Sequence, residues 1–228
     1  MSSKLITFLY KKFIPIFKKC YASLCSHFFP EKISLNEYLR CYGGNIYKEG
    51  FSAQFFEQAS FIKNTIIENN FNSIMEIGFH AGHSAEIILG CPKTKLISFD
   101  INQYYYTEIG ESFIANKFKN KHRLIKGNSI ITLPKYISEN PETTFDLIFI
   151  DGGHEYNIVK TDMENCKKLA HKNTLIILDD TVFDKTPDYS IGPTKIWSEL
   201  LDKEEIIELG RSAATNGRGF SWGKFAFH

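Results

Sequence analysis

Two acidic clusters hold the chemically most suggestive residues of the chain. Asp151-Gly152-Gly153-His154 follows the apolar run Phe145–Ile150, and Asp179-Asp180 follows Leu175–Leu178. Each run has the length and composition of a buried strand, so each cluster sits where a strand opens into a loop. On neighbouring parallel strands they would bring three carboxylates and an imidazole to one sheet edge. Three uncompensated acids repel and are costly to desolvate. A hard cation such as Mg²⁺ takes oxygen ligands and removes that cost. It also lowers the pKa of a bound hydroxyl, whose proton a histidine with a pKa of about 6.5 can take. The expected roles are Asp151, Asp179 and Asp180 on metal, and His154 as general base with Asp151 as its catalytic partner. One of Asp179 and Asp180 should face away, and the spacing leaves open which. Capping of the next helix is the plainer reading of His154, and Glu155 and Tyr156 beside it stand at a helix start.

A second constellation lies upstream, in Met75-Glu76-Ile77-Gly78-Phe79-His80-Ala81-Gly82-His83-Ser84. Gly78 and Gly82 allow a sharp turn and close approach of a ligand to a helix N-terminus. His80 stands where a GxGxxG loop needs its second glycine, which argues against a pyrophosphate-binding turn. His80 and His83 read as backbone-facing or solvated. Asp100 ends the next strand, placed to accept from both hydroxyls of a ribose, unless it is simply a solvated strand-end carboxylate. Gly127-Asn128-Ser129 then opens a helix, where Asn128 or Ser129 can cap it or meet an adenine edge.

These residues need a scaffold that brings strand ends together. Short apolar runs at Ser73–Ile77, Leu96–Asp100, Arg123–Ile125, Phe145–Asp151 and Thr174–Asp179 alternate with helical patterns near 83–90, 104–117, 129–139 and 155–171. That alternation marks βαβ units and a mainly parallel sheet. A helix at Phe55–Asn70 precedes them. A helix around Thr194–Leu201 and strands at Glu205–Leu209 and Phe220–Phe227 follow. The expected fold is α/β: a Rossmann-like, doubly wound, seven-stranded sheet closed by a C-terminal antiparallel hairpin, with an N-terminal helical arm. Tyr189–Trp197 could wall an acceptor pocket. Gly217–Lys224 combines aromatic faces and cations that suit a sugar ring, although a packing hairpin needs the same residues.

Glu76-x-Gly78-x-x-x-Gly82-x-Ser84, Asp100 and Gly127-Asn128-Ser129 with Leu133-Pro134 resemble the cofactor half of class I S-adenosylmethionine-dependent methyltransferases of the catechol O-methyltransferase-like branch. Within it the chain is similar to macrocin- and mycinamicin-type sugar O-methyltransferases, and the resemblance runs from about residue 50 to the end. It implies that Glu76 and Gly78 line the methionine part, with Ser84 and Gly82 in the same loop. Asp100 holds the ribose, Asn128 and Ser129 meet the adenine, and Asp151 joins the cofactor contacts. Many relatives carry an acid at Asn128. Asp151-Gly152-Gly153-His154 matches the Asp-x-x-His element of the sugar-modifying relatives, and Asp179-Asp180 their acidic pair. The activity implied is Mg²⁺-dependent methylation of a sugar or polyol hydroxyl on a small-molecule or glycan acceptor. The alternatives are a hydroxylase-like enzyme on the same scaffold and a non-catalytic binding module.

The rest of the chain sets bounds. Its 228 residues suffice for one domain with an extension, divided here into an arm at 1–50 and a catalytic domain at 51–228; Gly43-Gly44 marks a turn in the mixed segment 31–54. A formal charge of +1 gives no basic field for nucleic acid. Cys20, Cys25, Cys41, Cys91 and Cys166 form no CxxC pair and read as buried free thiols of a reduced, cytoplasmic protein. The 20 Phe and 11 Tyr are read mostly as core, with some left for an interface or a lipid surface. Residues 1–30 interleave Phe8, Leu9, Phe13, Ile14, Ile16 and Phe17 with five lysines, and Pro15 should interrupt any helix. Such a segment either lies on an anionic membrane surface, making the protein peripheral, or packs over the domain or a second subunit of a homo-oligomer.

Overall fold

A computed structural model describes residues 3–28, 32–43, 56–212 and 218–227. Gly44, Phe55 and Gly217 lie outside the described residues, as do the side chains that precede Pro15. Seven strands form one sheet in the order β3-β2-β1-β4-β5-β7-β6. They are β1 (Ser73–Ile77), β2 (Lys95–Asp100), β3 (His122–Lys126), β4 (Phe145–Ile150), β5 (Ala170–Asp179), β6 (Ile206–Arg211) and β7 (Phe220–Phe225). The first five are parallel, and β7 inserts antiparallel between β5 and β6. The winding reverses between β1 and β4, whose carboxyl ends therefore flank a crevice.

The helices are α1 (Ser3–Phe28), α2 (Leu35–Gly43), α3 (Phe56–Asn69), α4 (His83–Leu89), α5 (Tyr105–Lys117), α6 (Ser129–Glu139), α7 (Tyr156–Lys168) and α8 (Ile191–Asp202). Alternation along β4 sends Leu147 and Phe149 into the layer beneath α1–α5, and Ile148 and Ile150 into the layer beneath α6–α8. Burying each such side chain contributes roughly 1.5–3 kcal/mol. On β1 the same parity puts Glu76 on the side of Ile74, facing the first layer.

Three elements differ from the sequence reading. Helix α1 continues through Pro15, although proline removes one backbone donor. Tertiary packing supports the rest of it: Ala22 and Ser26 are fully buried, and Asn116 of α5 donates to Ser26 Oγ at 3.4 Å. Helix α2 starts with a reciprocal cap in a segment with no expected element. Ser34 N donates to Glu37 Oε2 at 2.9 Å and Glu37 N to Ser34 Oγ at 3.3 Å. Strand β5 begins at Ala170, where a helix was expected, and a bulge between Phe145 and Leu147 admits three extra residues on β5. Of the cysteines, Cys91 and Cys166 are buried, whereas Cys20 is exposed and Cys25 and Cys41 are half-buried.

Candidate functional site

A crevice of about 500 Å³ lies over the carboxyl ends of β1, β2, β3 and β4. Its floor is one interlocked backbone. Gly78 N donates to the Phe99 carbonyl and Asp151 N to the Ile77 carbonyl, both at 2.8 Å, so the ladder continues one residue past the strands. Gly78 adopts φ +99°, and a Cβ there would run into the Asp151 carbonyl oxygen. The turn demands glycine twice, for its torsion and for its contact. Gly82 (φ +89°) precedes the N-terminus of α4, where a Cβ would lie 2.8 Å from Phe79 Cζ.

On one side of the crevice the polar groups are held by donors. Asp100 accepts from His80 N at 2.7 Å and Asn102 N at 2.6 Å. A carboxylate has lone pairs beyond these two, and Asp100 lines the crevice. Asn128 caps α6, its Oδ1 accepting from Ile130 N at 3.0 Å, and it lines the crevice together with Ser129. Ser84 lines it too, with its hydroxyl donating downward to Glu76 Oε2 at 2.7 Å.

Glu76 lies beneath the crevice, fully buried, and not on its wall as expected. Strand parity turns it inward, where Ser84 takes one oxygen and Ser98 Oγ donates to the other at 2.7 Å. Ser98 is its register neighbour on β2. Burial pushes the Glu76 carboxyl up to about 7, against the pull of the two serine hydroxyls. His122 Nε2 meets Ser98 Oγ at 2.7 Å. With the serine hydrogen on Glu76, that ring nitrogen must be the protonated one. The His122 ring also stacks on Phe79 at 5.1 Å, and burial lowers its pKa to about 4. Ser98 and His122 escape sequence reasoning because only the register of β1, β2 and β3 joins them to Glu76. His83 is buried against Asn36 of α2 at 2.9 Å and is neither solvated nor backbone-facing. The His80 ring shares a hydrogen bond with the Tyr106 hydroxyl at 2.7 Å.

Across the crevice the acids crowd together. Asp151, His154 and Asp180 present ligand atoms within 4.8 Å of one another. His154 Nε2 stands 2.9 Å from Asp180 Oδ2, a contact that holds the imidazole above its usual pKa. The other Asp180 oxygen is buried without a hydrogen-bond partner. Asp180 has φ +55°, an unusual torsion for a non-glycine residue, and a carboxylate oxygen of it lies within 4.8 Å of one of Asp151. Asp179 stands outside this group and accepts a hydrogen bond from Gln58 of α3. Burial, then the charges of Asp179 and Asp180, raise Asp151 well above the carboxylate range, while burial and Asp180 bring Asp179 to about 7. Arg218 opposes both shifts, and its guanidinium lies 6.0 Å from the Tyr189 ring. That ring is itself 6.0 Å from His154. Gln58 was not foreseen, because nothing in its surroundings marks a site. Tyr156 donates to Glu199 at 2.7 Å, away from the acids.

A buried oxygen without a donor, two oxygen-bearing acids and an imidazole within reach fit a hard divalent cation. The positive-φ glycine turns and the ladder-bound Asp100 fit a nucleoside-type ligand.

Comparison with known proteins meets the same picture. Residues 75–181 match the family model described as a methyltransferase domain. Over 136 residues the chain is 26% identical to catechol O-methyltransferase B of Danio rerio, covering 58% of this chain and 51% of that protein. It thus spans about half the length of that curated relative. Among solved structures, an O-methyltransferase from Bacillus cereus in complex with SAH superposes with a TM-score of 0.67 at 15% identity, covering 93% of this chain and 100% of that one. CalS11, a TDP-rhamnose 3'-O-methyltransferase of calicheamicin biosynthesis, superposes at 0.55 with 14% identity, covering 89% and 93%. At these identities the superpositions establish the fold: the seven-stranded α/β architecture of methyltransferases.

Proposed function

We propose that this chain is an S-adenosylmethionine-dependent O-methyltransferase that works with a divalent cation, such as Mg²⁺, on a hydroxyl of a sugar or polyol. The observation that carries this reading is the Asp151–His154–Asp180 group, across one shared floor from Asp100. The methyltransferase-domain match over 75–181 supports the reaction class, and CalS11 supports the sugar acceptor.

When bound, S-adenosylmethionine supplies a methyl electrophile, and the cation supplies Lewis acidity toward the acceptor hydroxyl. Asp100 accepts from the ribose hydroxyls, Asn128 and Ser129 face the adenine, and the Gly78 turn with Ser84 receives the methionine part. Asp151 and Asp180 hold the cation, with Asp179 beside them on Gln58. His154 takes the hydroxyl proton at Nδ1, while its Nε2, 2.9 Å from Asp180 Oδ2, donates to that carboxylate, which stabilises the resulting imidazolium. Tyr189 offers an aromatic face for a sugar ring, and Arg218 borders it. The shared floor fixes the donor relative to the acceptor, and such positioning can supply several kcal/mol of the barrier reduction.

The test is calorimetric titration of S-adenosylmethionine and S-adenosylhomocysteine, with Mg²⁺ and then with EDTA, followed by turnover on nucleotide sugars and simple polyols. Both ligands should bind in either condition, and turnover should need the cation. Absence of binding in both conditions ends the methyltransferase reading. Turnover that persists after full chelation removes the metal from it.

A further inference from the structure

Helix α1 uses one face and leaves another uncovered. Ala22 and Ser26, one turn apart, are fully buried against α2 and α5. Phe17, Tyr21, Leu24 and Phe28 are 71%, 66%, 57% and 64% exposed. Their spacing of four, three and four residues puts them in a single stripe. By helical geometry that stripe lies roughly opposite Ala22 and Ser26, so it points away from the protein. A soluble helix normally presents polar residues there.

Charge identifies what covers the stripe. Helix α1 contains Lys4, Lys11, Lys12, Lys18 and Lys19 and no carboxylate, in a chain whose 27 basic and 26 acidic residues nearly balance. This helix therefore carries five uncompensated positive charges, while the remainder of the chain, with 22 basic and 26 acidic residues, is net acidic. A second copy of α1 would bring only like charge to the pairing. An anionic bilayer offers both complements, acyl chains for the aromatic stripe and headgroups for the lysines. At 26 residues, about 39 Å, the helix has room to lie along such a surface. No helix among the described residues is long and apolar enough to cross a membrane.

We infer that α1 is an in-plane anchor that docks this protein on anionic lipid. The apolar stripe sits at the acyl boundary while α2 and α5 carry the rest of the domain above it. This surface lies on the opposite side of α5 from the sheet and stands independently of the reaction proposed above.

The experiment is vesicle flotation of the full chain with phosphatidylcholine alone and with phosphatidylcholine containing phosphatidylglycerol, at low and high salt. Flotation should occur with the anionic vesicles only and should fall as salt rises. Phe17→Ser with Leu24→Ser should abolish it without moving Tm, since both side chains are exposed. Lys18→Gln with Lys19→Gln should weaken it roughly tenfold to thirtyfold, at about fivefold for each lysine near the surface. Size-exclusion chromatography with light scattering runs alongside. Failure to float with anionic vesicles overturns the proposal, as does equal flotation with neutral ones. A serine pair that converts a dimer to a monomer while flotation stays unchanged overturns it in favour of a face between two copies.

Discussion

At the ends of β1 and β2, Glu76 and Asp100 each meet two hydrogen-bond donors. At the ends of β4 and β5, Asp151, Asp179 and Asp180 meet chiefly one another, and one Asp180 oxygen meets nothing. Both regions are strand-end carboxylates around one floor, Glu76 beneath it and the others above, yet the first is complete in itself and the second lacks positive charge. Arg218 and His154 supply part of that charge from the rim. The difference teaches that similar acids at equivalent places serve unlike purposes. Satisfied carboxylates present fixed acceptors to a neutral or cationic organic ligand, whereas crowded ones store repulsion that an added cation relieves.

The largest effect should come from breaking the crowded half. Asp151→Asn is expected to lower the methyl-transfer kcat by roughly 10³-fold, the scale of a lost electrostatic stabiliser. In the wild type, Mg²⁺ at about a hundred times its Kd should add ~2.7 kcal/mol, roughly 5–10 °C in Tm, and thermal denaturation of the variant should show no such rise. Next comes the satisfied half. Asp100→Asn should weaken S-adenosylhomocysteine by roughly tenfold to a hundredfold, from one or two lost charged hydrogen bonds. Its kcat at saturating cofactor should stay within about threefold, because no reacting atom is touched. Equal losses in both parameters would erase the proposed division of labour.

A smaller effect tests Glu76 through pH. Its folded pKa, about 7, exceeds the ordinary 4.5, so the ionised form destabilises the fold. That cost is absent below about pH 4.5, grows as pH rises, and is complete above about 7. Glu76→Gln should therefore gain roughly 1–3 kcal/mol on the wild type between pH 5 and pH 8, read from denaturant midpoints. A constant difference across that range would mean that Glu76 is ionised throughout. The smallest effect belongs to Ser98→Ala, which deprives Glu76 of a donor and His122 of its acceptor. Cofactor affinity should fall a few-fold, about 1 kcal/mol, with kcat unchanged.

Much of this was legible in the chain itself. The β1 bounds were read as they stand, and the alternation of runs and helical patterns gave the parallel sheet and the terminal hairpin, because periodicity reports directly on burial. Asp151, His154 and one of the paired aspartates could be brought together on strand ends alone. The choice between Asp179 and Asp180 could not, since it turns on a positive φ and on Gln58 arriving from α3. Ser98 and His122 stayed hidden because their role exists only across three strands in register. Helix α2 did leave a local signal, Ser34-x-x-Glu37, and its reciprocal cap could have been anticipated. The continuity of α1 through Pro15 could not, because packing by Ala22 and Ser26 outweighs a local cost.

The contact between Gly78 and the Asp151 carbonyl has a bearing on how such a molecule can diversify. Any side chain at position 78 would wedge β1 from β4, so drift there is closed, and the point where donor and acceptor meet in the proposed reaction is inherited as a unit. Gly192, three residues after Tyr189, is held in the same way, because a Cβ there would run into the His154 carbonyl oxygen. In the proposed reaction, new acceptors would be recruited by exchanging the side chains of Tyr189 and Arg218, while the place where the bond forms stays fixed.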